Sequence, residues 1–274
     1  VNKISQHRYI LGHSDRELER LAFQSRIIAP ITERLLNSAG LCEGMNVLDI
    51  GCGAGDVSML AAQMVGASGS VTGVDRSPEA LATAHRRARE SGLRNVKFEQ
   101  ADIAALVYPR GFDAVIGRYV LVHTVDPSAV LRSLRSCLRP GGVLAFHELD
   151  LVSALRSHPP VKVWDDLCDW ILANFGKTLN HPDAARRLTE HFMKAGLPAP
   201  HLFCEIPLGN GDHSPLYHWL ADTAMTVRSG MGGDLSDMPA GLDETLPDVL
   251  RRDTTALFSQ ILGPAQICAW AKAD

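Results

Sequence analysis

The run Val47-Leu48-Asp49-Ile50-Gly51-Cys52-Gly53-Ala54-Gly55 is the stretch best equipped for ligand chemistry. A short apolar strand pattern leads into glycines at alternate positions, and a helical pattern starts at Asp56. Glycine lets the main chain take conformations that a side chain forbids, and lets a ligand approach it closely. Amides at the start of the next helix favour an anionic group. The spacing is not that of the dinucleotide fingerprint G-x-G-x-x-G, whose third glycine would fall on Asp56. Asp49, two residues before the first glycine, would repel a pyrophosphate. The loop therefore suits a ligand carrying a ribose and an amino-acid tail better than one carrying phosphates.

Two more acids stand in register with this loop. Asp75 closes the next strand pattern, Val71-Thr72-Gly73-Val74-Asp75, where a carboxylate can accept from both hydroxyls of a ribose. By itself it reads equally as a turn or cap residue. Asp102, in Gln100-Ala101-Asp102-Ile103, follows a third strand. It can accept from an exocyclic amine while Ile103 packs on a planar ring, or it can be an ordinary turn aspartate.

These motifs resemble class I S-adenosylmethionine-dependent methyltransferases, most closely the small-molecule group that includes the quinone-biosynthesis enzymes. The resemblance rests on Asp49-x-Gly51-x-Gly53-x-Gly55, Asp75, Asp102, Phe112-Asp113-Ala114-Val115-Ile116 and Leu138-Arg139-Pro140-Gly141-Gly142, in family order over residues 45–150. It implies an α/β, Rossmann-like, doubly wound sheet of seven strands, the last antiparallel. It implies S-adenosyl-L-methionine as cofactor and S-adenosyl-L-homocysteine as product. The cofactor set carried over is Asp49, Gly51, Cys52, Gly53, Asp75, Arg76, Asp102, Ile103, Gly117 and Arg118. In it Gly51 and Gly53 face the methionine part, Asp75 the ribose, Asp102 and Ile103 the adenine, and Gly117 and Arg118 the sulfonium and acceptor. Cys52 simply fits the loop, and no catalytic thiol or metal is needed.

The methyl acceptor and the proton chemistry are less specified. Arg118 reads as a partner for the cofactor carboxylate, for a substrate anion, or for a surface acid. His123 reads as a general base, since imidazole has a suitable pKa, or as a histidine bonded to nearby backbone. Strand alternation sends His147 and Glu148 to opposite faces. Glu148 is the preferred acid for contact with the acceptor, and where the acceptor must lose a proton, His123, Glu148 or solvent can take it. Tyr9 either folds over the cofactor or simply packs. Trp164, Trp170, Phe175, Tyr217, Trp219, Met225 and Met231 either line an apolar pocket or form core. The stretch after the fourth strand, Gly117 to His123, lacks an Asp/Asn-Pro-Pro-aromatic motif and a Pro-Cys pair, which argues against base methylation. The expected reaction is in-line methyl transfer to a small, planar or apolar molecule. The rivals are a non-catalytic cofactor-binding regulator or scaffold, a protein or RNA methyltransferase, and a nicotinamide-dependent oxidoreductase.

Alternating strand and helix patterns must position these residues. Strands are expected at residues 46–50, 70–74, 95–98, 112–116 and 143–149, with helices at 56–65, from Ser77-Pro78, and from Asp126-Pro127. Such alternation implies a mostly parallel sheet covered on both faces. Ahead of it, Ser14 and Glu17 form a capping box, and Pro30 should divide residues 1–40 into two short helices that end at Gly40. Beyond residue 150 a helix is expected over 182–195, strands at 201–207 and 266–273, and helices from Ser214-Pro215 and over 242–262. The last two form a candidate helical lid inserted between the final two strands. The expected division is 1–40 cap, 41–150 cofactor-binding core, and 151–274 remaining strands with the lid, in one structural domain.

Composition agrees with a folded globular protein: 274 residues, 46% hydrophobic and 21% charged. The net charge of −4 argues against a nucleic-acid partner. Arg86, Arg87, Arg89 and Arg94 read as one solvated helix face. Six scattered cysteines with no paired spacing suit a reducing cytoplasm. No apolar run is long enough for a bilayer span, and Val1 to Ile10 lacks a signal-like apolar core. A monomer or a homodimer is expected.

Overall fold

The computed structural model describes residues 15–103, 110–153, 156–177, 179–230 and 243–273. They fall into two compact units. The larger takes the described residues of Ser25–Ser153, Leu179–Pro207 and Pro264–Asp274, and the smaller those of Val1–Gln24, Ala154–Thr178 and Leu208–Gly263.

The larger unit is built on a seven-stranded sheet of β1 (Asn46–Ile50), β2 (Ser70–Asp75), β3 (Val96–Gln100), β4 (Phe112–Arg118), β5 (Leu138–Leu149), β7 (His201–Glu205) and β10 (Gln266–Lys272). The order is β3-β2-β1-β4-β5-β10-β7. β10 runs antiparallel to both neighbours and the other pairs are parallel. The doubly wound α/β sheet with its last strand reversed is thus as expected. Alternation along the strands feeds two cores. Val47, Val71, Ala114, Ile116, Val143 and Ala145 pack with Ile31, Leu35 and Leu36 of helix α1 (Asp15–Ser38) and Val57, Ala61 and Val65 of α2 (Asp56–Val65). Leu48, Ile50, Val115, Leu144 and Phe146 pack on the other face with Leu131 and Leu134 of α4 (Pro127–Cys137) and Phe192 of α6 (Leu188–Lys194).

The capping signals work as read. Ser77 Oγ accepts from the Ala80 amide at the head of α3 (Pro78–Glu90), and Asp126 Oδ1 accepts from the Ala129 amide at the head of α4. Three expectations are corrected. First, α1 is one helix with Pro30 inside it. An interior proline costs about 3 kcal/mol, but the buried stripe of Ile28, Ile31, Leu35 and Leu36 outweighs it, each such side chain gaining about 1.5–3 kcal/mol. Second, the strand expected at 143–149 begins earlier, at Leu138, and Pro140-Gly141-Gly142 lies inside it as an irregularity where the register on β4 jumps from Phe112↔Leu138 to Ala114↔Val143. Third, the helix expected over 182–195 is a 3-10 turn, Ala184–Arg187, followed by the short α6. Ser14 and Tyr9 lie outside the described residues.

The smaller unit holds a three-stranded antiparallel sheet of β6 (Ser157–His158), β9 (Gln260–Leu262) and β8 (Leu208–Gly209), with helices α5 (Lys162–Gly176), α7 (Leu216–Gly230) and α8 (Leu246–Ala256). Sequence reading missed α5 and these short strands. It also ran the last helix through β9, because two or three residues are too few to show a period. The inserted segment does stand between β7 and β10 in the chain, as expected. Trp164, Trp170, Tyr217 and Trp219 are buried in this unit. Trp164 and Tyr217 meet edge to face, so these side chains read as core. Phe175 and Met225 are half-buried, and Met231 lies outside the described residues.

Candidate active site

The site is assembled where β1, β2 and β4 end. Past Ile50 the chain takes left-handed conformations at Gly51, Gly53 and Gly55, with φ of 62°, 52° and 84°. The three glycines meet different surroundings. A methyl group on Gly55 would lie 3.0 Å from Ala84 Cβ and from Phe98 Cζ, so this glycine lets α3 and β3 close on the loop. A methyl on Gly51 would lie 2.9 Å from Val120 Cγ2 and 3.6 Å from Ile103 Cδ1. At Gly53 nothing lies within 4 Å. The loop thus presents bare main chain to open space at Gly53, while Val120 and Ile103 close on Gly51.

Hydrogen bonds tie this loop to β2. The Cys52 amide donates to Val74 O (3.0 Å) and the Gly53 amide to Asp75 Oδ2 (2.9 Å), while Asp75 Oδ1 accepts from the Ser77 amide (2.9 Å). Each Asp75 oxygen keeps a further lone pair, and the side chain is half-buried rather than sealed. Arg87 adds a staple that sequence reading missed. Its guanidinium donates to Ala54 O (2.8 Å) and pairs with Asp56 (2.7 Å), so it is not part of a solvated face. Arg86, by contrast, is exposed as expected.

Asp49 is 1% exposed and accepts from Ser58 Oγ of α2 at 2.5 Å. Burial pushes its pKa up to about 7, against the pull of the Ser58 hydroxyl and the Arg118 guanidinium. It braces β1 on α2 rather than facing a ligand. The same burial, with Asp49 and Asp75 close by, drives the Cys52 thiol far above its ordinary range and keeps it protonated. Arg76 and Asp102 are exposed at the rim. Gly117 is not an open border: a methyl there would meet Phe146 Cε1 at 2.9 Å and Ile50 Cγ1 at 3.1 Å.

Beyond Gly117, a polar chain that sequence reading missed holds the end of β4. Arg118 donates to Ser25 Oγ (3.0 Å) and Thr32 Oγ1 (3.3 Å), both on α1. Thr32 Oγ1 lies 2.9 Å from His147 Nδ1, His147 Nε2 lies 2.8 Å from Gln266 Oε1, and Tyr119 OH donates to the same Gln266 oxygen at 2.5 Å. Burial, then the Arg118 charge, lowers the His147 pKa to about 3, so the ring is neutral. Tyr119 has φ of 58°, a conformation rare for a residue with a side chain and common at functional sites. No sequence signal announced it.

The two candidate proton-transfer residues lie apart in character. His123 ends the 3-10 turn Leu121–His123, with its side chain exposed. The surrounding protein and then the Arg76 charge lower its pKa to about 4. Glu148 is 0% exposed, and its Oε1 accepts from the amides of Val120 (3.0 Å) and Leu121 (2.9 Å). Burial raises its pKa to about 7 despite those amides. His147 and Glu148 do point to opposite faces of β5. Asp150, just past the end of β5, is held below the usual carboxylate range by Ser153, nearby amides and Arg186 despite its burial. Among the described residues no three His, Cys, Asp or Glu side chains gather as a metal site, and no helix is long and apolar enough to cross a membrane.

Residues 41–191, more than half of the chain, match the family described as methyltransferase domain. The chain belongs to that family. The matched span holds the glycine loop, Asp75, Asp102, Arg118, His123 and Glu148. Among curated relatives, the chain is 36% identical over 118 residues to the aklanonic acid methyltransferase DauC of Streptomyces sp. strain C5, covering 43% of this chain and 54% of that protein. It is 30% identical over 186 residues to the demethylmenaquinone methyltransferase of Lactococcus lactis, covering 61% of this chain and 71% of the relative. The chain thus spans about half the length of the first relative and over two thirds of the second. Among solved structures, the [4+2]-cyclase SpnF shares the fold at a TM-score of 0.55 and 21% identity, over 89% of this chain and 79% of that one.

Proposed function

We propose that this methyltransferase domain binds S-adenosylmethionine across the ends of β1 and β2 and serves transfer of its methyl group to a small-molecule acceptor, leaving S-adenosylhomocysteine. The observation that carries the reading is the junction of Gly53 and Asp75: open main chain at one, and at the other a carboxylate oriented by two amides with acceptor capacity left over. The residues fit the group. Asp75 holds the ribose diol, Gly51 and Gly53 take the amino-acid tail, and Ile103 and Val120 supply apolar contact. Asp102 at the rim takes the adenine amine. The acids around the loop tolerate a sulfonium and disfavour a pyrophosphate.

When bound, the cofactor would supply a methyl group activated by its sulfonium, open to attack by a lone pair of the acceptor, with the thioether as leaving group. The protein's own residues then have to align and to exclude water. Arg118 brings a positive charge, partnered among the described residues by two hydroxyls, to the end of β4. It suits a carboxylate, either of the cofactor tail or of the acceptor. His123 is neutral at physiological pH but, with a pKa near 4, it is a weak proton acceptor. The chemistry therefore relies on alignment, with the acceptor's proton passing to His123 or to water. A small-molecule acceptor accords with the two curated relatives, named for aklanonic acid and demethylmenaquinone.

Titration calorimetry tests the reading. S-adenosylhomocysteine should bind and NAD should not; the reverse would overturn it.

A further inference from the structure

We infer that Glu148 is a positioning residue: its buried carboxyl sets the turn that lays Val120 against the glycine loop, and so shapes the cofactor seat without touching substrate. This rests on the cofactor reading above. Three consecutive amides leave β4 and all three are met by two consecutive residues of β5. Tyr119 N–H donates to His147 O at 2.9 Å, and the Val120 and Leu121 amides converge on one oxygen, Glu148 Oε1. The 3-10 turn bonds only its later amides internally, His123 to Val120 O and Thr124 to Leu121 O. Its opening amides need an outside acceptor, as at any helical start.

The turn so fixed has one contact that matters for ligand binding. Val120 Cγ2 stands where a side chain on Gly51 would be, and Ile103 stands beside it. Moving Val120 would change the floor on which the cofactor lies. Glu148 has no route of its own to an acceptor, since no part of it is exposed. Its Oε2 has no hydrogen-bond partner among the described residues, so the two short bonds fall on one oxygen, and the Val122 amide also acts on the carboxyl. An amide oxygen can accept the same two N–H groups. Burial favours the protonated carboxyl, which also argues that the charge is dispensable. Glutamine should therefore replace glutamate, whereas a residue without an acceptor should not, because two buried amides would be left unmet.

The test measures S-adenosylhomocysteine affinity by calorimetry and amide hydrogen exchange at residues 119–121 in wild type, Glu148→Gln, Glu148→Ala, Val120→Ala and the double variant. The expectation is wild-type affinity within about twofold for Glu148→Gln, and a loss of about tenfold with faster exchange at residues 120 and 121 for Glu148→Ala. Val120→Ala should weaken binding on its own, and the double variant should lose less than the two losses combined. Wild-type protein that fails to bind overturns the cofactor reading and this inference together. With wild-type binding intact, three results overturn the inference alone: unchanged affinity in Glu148→Ala, loss in Glu148→Gln equal to that in Glu148→Ala, or additive losses. If Glu148→Ala shows no cooperative unfolding transition, the decision passes to the other singles. Wild-type affinity in Glu148→Gln with loss in Val120→Ala supports the inference, and any other pairing overturns it.

Discussion

The Gly53 amide donates to Asp75 Oδ2 over 2.9 Å, so the carboxylate that would grip a ribose is also a strut of the glycine loop. Removing Asp75 should therefore have two effects. Asp75→Ala should weaken S-adenosylhomocysteine binding at least about tenfold, since hydrogen bonds to a charged group are worth about 1.5–3 kcal/mol. It should also speed hydrogen exchange of the Gly53 amide in the ligand-free protein. Unchanged affinity would remove Asp75 from the site, and unchanged exchange would remove it from the loop.

Gly53 and Gly55 have similar backbone conformations and opposite surroundings. Gly53→Ala should cost about 1 kcal/mol of stability through its positive φ, and should abolish most ligand affinity because the new methyl enters open ligand space. Gly55→Ala carries the same strain and also meets Ala84 and Phe98, so it should cost about 2–4 kcal/mol. Urea unfolding and calorimetry on both variants would separate the roles. Equal stability losses would contradict the assignment.

Stability should carry a signature of the buried Asp49. Its carboxyl rises from 3.8 to about 7 in the folded protein, so the folded state holds this proton more tightly. The stabilisation linked to it is complete below pH 3.8 and is lost as pH rises through about 7. His147 and His123 act the other way. Their values fall to about 3 and about 4, so their contribution is present above pH 6.5 and lost as pH falls through the folded values. The difference between Asp49→Asn and wild type isolates the acid. It should move in favour of the variant as pH rises from about 4 to 8, by on the order of 3 kcal/mol. Parallel curves would refute the burial argument.

Tyr119 and His147 share Gln266 Oε1. Tyr119→Phe should cost about 1 kcal/mol in urea unfolding. Combined with Gln266→Leu it should cost less than the sum of the two, because both remove the same bond. Strict additivity would mean that the hydroxyl finds another partner.

What was legible in the chain is local. Val47 to Gly55 announced strand, turn and helix, and α2 begins and ends where its pattern does, because each signal lies within a few residues. Ser77-Pro78 and Asp126-Pro127 marked their helices for the same reason. Asp49 was legible as a residue of interest, but its partner Ser58 and its burial were not. The chain from Arg118 through Thr32, His147 and Gln266 to Tyr119 was hidden, since its members lie as much as 234 positions apart. Pro30 misled because a local helix breaker was outweighed by burial against the sheet. Arg87 misled because charge clustering says nothing of which residue turns inward.

The smaller unit draws on three separated lengths of chain, the last reaching Gly263. During synthesis, which runs from the N-terminus, the described residues of its first stretch must wait until residues 208–263 have emerged before all their neighbours exist. Four strands of the larger sheet, β3-β2-β1-β4, are complete by Arg118 and can pair well before that. Ribosome-bound fragments should therefore acquire a partial sheet early and protease resistance around α5 last, so α5 is where translational pausing would matter most.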